Sequence, residues 1–97
     1  MIAVRDTDVH HWLWRLRAFR TDCPGTPWAA TAAELTRSVR REAVGLYVDA
    51  SIIRVPADLA RAVLAALDAA AACCPATALA EDARADGALL ELALLAA

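Results

Sequence analysis

The chain has 97 residues, of which 60% are hydrophobic, and its formal net charge is −2. This length is enough for one domain with a modest core and too short for two. The small net charge argues against a strongly basic nucleic-acid binder and against a highly acidic DNA mimic. All ten basic residues are arginine, which reflects either a GC-rich coding sequence or selection for guanidinium groups.

Neither a transmembrane helix nor an export signal is expected. A spanning helix needs ~20 mostly apolar residues, whereas the longest uncharged stretch, residues 69–80, is shorter and contains Pro75. The N-terminal residues already include charged side chains, so they form no apolar signal segment. The three cysteines include the adjacent pair Cys73 and Cys74 and do not fit a secreted disulfide framework. We therefore expect a cytoplasmic protein with reduced thiols.

The first helix is predicted over residues 9–20, with Thr7 or Asp8 as its N-cap. Around Trp12, apolar residues recur at the i, i+3, i+4 and i+7 spacing of a buried stripe. Trp14 falls outside that stripe and is expected at the surface.

The second helix is predicted to begin at Pro27, with Thr26 as its cap, after a Pro-Gly turn. Its apolar residues step by three and four from Trp28 to Ala43, which indicates one unbroken helix.

A change of period from 3.6 to 2 between Val44 and Val55 predicts a β-hairpin. The turn falls near Ala50 and contains no glycine. Ile53 and Val55 are expected to face inward, with residues 52 and 54 facing outward.

Two more helices complete the predicted chain. Pro56 opens the third helix, and the sequence Cys-Cys-Pro at residues 73–75 ends it. Thr77 is the expected cap of the fourth helix. The Asp-Gly sequence at residues 86–87 leaves two alternatives, one continuous helix or two shorter ones. The acidic residues between positions 81 and 86 are expected to be solvated.

We find no internal repeat. The prediction is one α+β domain over residues 1–97, predominantly helical, with four helices around a central hairpin in the order α-α-β-β-α-α.

The leucine-rich tail, residues 88–95, predicts a contact surface. Its leucines occupy more than one helix face, and a helix that is apolar on most sides needs burial on most sides. Self-association or a partner groove would provide it, and so would a position at the centre of the other three helices. The leucines assigned to self-association are Leu89, Leu90, Leu92, Leu94 and Leu95.

A second surface combines arginines with aromatic residues, the residue types that are enriched at binding hot spots. The residues expected to contact a partner are Trp14, Arg15, Arg17, Arg37, Arg40, Arg41, Tyr47 and Arg54. The alternative is a nucleic-acid-binding, winged-helix-like regulator that uses the arginine-rich first two helices. The unbroken second helix argues against that alternative.

Catalytic and cofactor chemistry is not indicated by any motif. The histidines His10 and His11 are adjacent and point ~100° apart on a helix, so they do not easily share a metal ion. The sequence has no CxxC or HxxxH spacing of the kind that binds metal. It also has no nucleophile-elbow motif and no glycine-rich loop that could bind phosphate. We therefore expect a non-enzymatic protein without cofactor or metal, which acts on a protein partner, as a homodimer, or both.

Overall fold

The computed structural model describes residues 1–22, 27–46, 52–73 and 75–96, with side chains for most of them. The elements in chain order are β1 (Ile2–Arg5), α1 (Asp6–Asp22), α2 (Pro27–Leu46), β2 (Ile52–Val55), α3 (Ala57–Cys73) and α4 (Ala78–Leu95). Four helices and one two-stranded antiparallel sheet confirm the predicted α+β, mostly helical class.

The second strand has a different partner from the one that a local hairpin would give it. β2 pairs with β1, with Ile2 opposite Val55 and Arg5 opposite Ile52. Residues 44–46, assigned to the first strand of the hairpin, are instead the last residues of α2, and residues 47–51 lie outside the described residues. Side chains of β1 alternate between buried and exposed, but four residues are too few for this period to stand out in the sequence.

Helix boundaries follow the local signals closely. α2 begins at Pro27 and α3 ends at Cys73, as predicted. Thr77 caps α4, since its hydroxyl oxygen accepts a hydrogen bond from the Ala80 N–H at 3.1 Å. The first helix begins earlier than predicted, at Asp6, because acidic residues in a first turn favour the positive end of the helix dipole.

The last helix continues through Gly87 without a break. This glycine is buried, and a Cβ at its position would lie 3.3 Å from Cδ1 of Leu64. The missing side chain therefore allows α4 to approach α3 closely, and packing offsets the low helix propensity of glycine.

Two consecutive units with the same order of elements make up the chain, β1-α1-α2 and β2-α3-α4. The sequence Cys-Pro-x-Thr at residues 23–26 recurs at residues 74–77, between the two helices of each unit. The two copies are therefore offset by 51 residues (74 − 23). At this offset, buried Leu16 corresponds to buried Leu67, and buried Val39 corresponds to buried Leu90. This relationship corrects the expectation that the chain holds no repeat.

The strand register and the contacts between helices have the pattern expected of an approximate two-fold relation between the two units. At the offset between the units, Ile2 corresponds to Ile53 and Val4 corresponds to Val55. In the sheet, Ile2 pairs with Val55 and Val4 pairs with Ile53. Exchanging the two units therefore turns the first pair into the second. Helix packing has the same symmetry: α1 lies on α2 and α3 on α4, and between units α1 lies on α4 and α2 on α3. Both units contribute to a single cluster of buried apolar side chains.

Candidate functional site

The leucines of α4 divide between the core and the surface. Leu90 is 1% exposed and Leu94 is partly buried against the core. Leu89, Leu92 and Leu95 are 57%, 63% and 78% exposed. The spacing of three residues places them along one side of the helix. Leu90 is therefore not available for the self-association assigned to it by sequence, and Leu94 is only partly available.

Exposed alanines extend this apolar strip. We call it the α4 outer face, which comprises Ala85, Ala88, Leu89, Leu92 and Leu95. Exposed acidic residues, Glu81 and Asp82, lie one turn before it. The face is apolar over the last three turns of α4 and acidic at the start of the helix.

The matching side of α2 shows how this fold solvates the same positions. At the offset between the units, Ala85, Ala88, Leu89 and Leu92 correspond to Glu34, Arg37, Ser38 and Arg41. Arg37 donates a hydrogen bond to Glu34, and this contact lowers the pKa of the Glu34 carboxyl. Arg41 donates to Ser38 at 3.1 Å. At these four positions α2 carries polar groups and α4 carries apolar ones. At the fifth position of the α4 outer face both helices are apolar, because Leu95 corresponds to Val44.

A second exposed surface lies on α1. Trp14 is 66% exposed, as its position outside the buried stripe predicted, whereas Trp12 belongs to the core. A shallow open depression beside Trp14 is lined by Arg17, Ala18 and Thr21. The counterpart of Trp14 in the second unit is the exposed Ala65.

Several arginines in the described part of the chain form an ion pair with a carboxylate. The ion pairs in the described residues are Arg5–Asp8, Arg15–Asp82, Arg15–Asp86, Arg37–Glu34 and Arg61–Asp58. Arginines already paired within the chain are less available to phosphate groups, because a phosphate would have to replace a neighbouring carboxylate.

The residues assigned to partner contact are spread over several elements. Arg17, Arg37 and Arg41 are exposed on the first two helices, and Arg54 is exposed on β2. Tyr47 and the side chain of Arg40 lie outside the described residues.

Arg15 ties the two units together and is only partly exposed. Its Nε lies 3.0 Å from an oxygen of Asp86, and its Nη2 lies 3.7 Å from one of Asp82. The side chains of Arg15 and Asp86 are 20% and 12% exposed, so Asp86 is not the solvated residue that the sequence suggested. At the equivalent positions of α3 and α2 the chain has Ala66, which is buried, and Leu35, which packs against the core. Arg15 therefore has a structural role that differs from that of Arg5, Arg37 and Arg61, whose ion pairs join residues three positions apart on one unit.

Replacement of Arg15 by alanine is expected to lower the free energy of unfolding by about 1–3 kcal/mol, because Asp86 then loses its partner in a poorly hydrated position. Replacing Asp86 by leucine in the same chain should restore most of this loss, since the equivalent positions hold the apolar residues Ala66 and Leu35. Urea unfolding followed by circular dichroism measures both effects. The exposed pair of Arg61 provides the control, and Arg61→Ala should leave stability unchanged. A double variant less stable than the single one would contradict the proposed equivalence of the two contacts.

Catalytic machinery is not evident in the described part of the chain. Residues 1–22, 27–46, 52–73 and 75–96 contain no group of three or more histidine, cysteine or acidic side chains placed to hold a metal ion. A cleft of about 30 Å³ between β1, α1 and α4 is lined by Asp8, Trp12, Asp86 and Leu89, among others. It has room for about one water molecule. None of the four helices, as far as they are described, is long and apolar enough to cross a membrane.

Comparison with known proteins gives no relative: no family, no curated protein and no solved structure matches this chain.

Proposed function

We propose that the protein is a non-enzymatic protein-binding module, with the α4 outer face as its contact surface and a second copy of the chain as the simplest partner. The observation that carries this proposal is the contrast between equivalent helices. Positions that are polar and paired on α2, among them Arg37 and Arg41, are apolar on α4, where Ala88 and Leu92 replace them.

The free-energy argument concerns the three exposed leucines. Full burial of a leucine side chain stabilises by about 1.5–3 kcal/mol relative to exposure. Since Leu89, Leu92 and Leu95 are each more than half exposed, docking of an apolar surface over them recovers a large part of that amount. Part of it is offset by the entropy lost on association. An amphipathic helix laid along α4 is the simplest element that covers all three.

Charge along α4 favours an antiparallel contact between two copies. In a parallel pair, Glu81 and Asp82 of one copy would face the same residues of the other, which is unfavourable for like charges. In an antiparallel pair centred between Leu89 and Leu92, these carboxylates extend beyond the apolar overlap. Leu89 of each copy then packs against Leu92 of the other.

The nucleic-acid alternative has less support. Binding to a phosphate backbone requires several free basic side chains. On the first two helices, Arg15 and Arg37 are paired with carboxylates, whereas Arg17 and Arg41 are exposed and have no ion pair among the described residues. The exposed apolar strip on α4 has no role in phosphate contact. The pairing of Arg15 and Arg37 and, above all, the exposed apolar strip favour a protein partner.

Light scattering on a sizing column over a dilution series tests the proposal. We expect the wild-type protein to shift from dimer to monomer on dilution, and Leu92→Asp to be monomeric at every concentration, because the new carboxylate would be buried in the contact. Ala65→Asp adds the same charge to an exposed site on α3 and should behave as the wild type does.

Two outcomes would contradict this assignment. A wild-type monomer at the highest concentration would exclude a second copy as the partner, and a Leu92→Asp dimer would move the contact away from α4. Circular dichroism of each variant establishes that the fold is retained.

A further inference from the structure

A cationic and aromatic surface on α1 is separate from the α4 outer face. Helical spacing places His10, His11, Trp14 and Arg17 on the side of α1 that faces away from the core, and all four are exposed. We call this group the Trp14 surface. Between residues 7 and 21, the described residues on this side include no carboxylate. The surface is therefore aromatic at its centre and basic or neutral at its rim.

The fold does not require a tryptophan at this position. The second unit has exposed Ala65 where the first has Trp14, and it forms the same strand and the same two helices. Trp12, two residues earlier, is buried and does contribute to the core. An exposed tryptophan that the architecture can do without is available for an external contact.

Arg17 differs from most other described arginines because none of the ion pairs resolved in the described residues involves it. Arg5, Arg15, Arg37 and Arg61 each have a carboxylate partner. Arg17 lines the depression beside Trp14. Its contact with Thr21 is made by the backbone carbonyl oxygen, which accepts a hydrogen bond from the Thr21 hydroxyl, so this contact uses none of the guanidinium donors. The guanidinium can therefore bind an incoming carboxylate in bidentate geometry.

We infer that the Trp14 surface docks an acidic segment of another protein, with a carboxylate on Arg17 and an apolar side chain against the indole ring in the adjoining depression. Charge decides the class of partner. Nucleic acid would place several phosphates here, where there is one guanidinium without a carboxylate partner, whereas a peptide needs only one or two carboxylates beside its apolar residue. This inference is independent of the α4 outer face.

Binding of fluorescently labelled random copolymers tests the inference. A glutamate–tyrosine copolymer supplies carboxylates beside apolar rings, a lysine–tyrosine copolymer reverses the charge, and an oligothymidine supplies phosphates with bases. At low salt we expect the glutamate–tyrosine copolymer to bind and the other two to bind far more weakly. Trp14→Ala and Arg17→Ala should each weaken binding by about tenfold or more, as hot-spot residues do.

The matched control is Arg61→Ala, which removes the same charge from an exposed position of α3 that corresponds to His10. It should bind the copolymer as the wild type does. Leu92→Asp should retain the copolymer binding that Trp14→Ala loses, so a failure of the α4 proposal remains distinguishable from a failure of this one. Three results would overturn the inference: no binding of the glutamate–tyrosine copolymer, equal weakening by Arg61→Ala, or preferential binding of oligothymidine.

Discussion

Replacement of Leu90 by aspartate is expected to unfold the protein at room temperature. The leucine side chain is 1% exposed in the core between the helices. The variant loses the burial of a leucine, about 1.5–3 kcal/mol, and places in the core a carboxylate without a partner, which costs several kcal/mol more. The sum is comparable with the whole stability of a typical domain, about 5–15 kcal/mol.

Far-ultraviolet circular dichroism and a thermal scan measure this outcome. The control is Leu92→Asp, two residues further along α4, which makes the same chemical change at a side chain that is 63% exposed. We expect the control to remain folded while it loses self-association. A folded Leu90→Asp variant would mean that α4 faces the core with a different side.

The second large effect is expected at Phe19, which is 0% exposed and is the largest side chain below 2% exposure among the described residues. Phe19→Ala should lower the free energy of unfolding by about 3–5 kcal/mol, because the variant loses the transfer free energy of the ring and leaves a cavity in a close-packed core. The counterpart in the second unit is Ala70, also buried. The two units therefore fill the shared core unequally, and the aromatic ring of the first unit provides volume that the second lacks.

Urea unfolding of Phe19→Ala should give a lower midpoint with an unchanged slope, since the surface exposed on unfolding changes little. Phe19→Leu, which removes less volume, should lose less. A loss below about 1 kcal/mol in Phe19→Ala would contradict this expectation. It would mean that the neighbouring helices collapse into the cavity, since the cost of a large-to-small substitution depends on how far the surrounding residues move in.

Local signals in the sequence correctly located much of the secondary structure. Pro27 begins α2, the Cys-Pro sequence follows α3, and Thr77 caps α4, because each of these depends on residues within one turn. The burial of Trp12 and the exposure of Trp14 follow from helical periodicity alone.

The repeat leaves a visible but weak trace in the sequence. Cys-Pro-x-Thr occurs twice, and the leucines at positions 16 and 67 match at the same offset. Alanine-rich helices obscure such similarity, because most matched positions differ in size while they keep their burial. The offset would also have assigned residues 2–5 to a strand, as the counterpart of the strand ending at Val55.

By itself, the sequence determined the number of helices, most of their ends and the class of the fold, since capping, proline placement and periodicity act within a few residues. Tertiary structure alone decided which strand pairs with β2, which leucines of α4 face outward, and that Arg15 binds Asp86. Each of these depends on contacts between residues far apart in the chain. The free energy of such a contact depends on what the other unit places opposite it, and no local pattern contains that information.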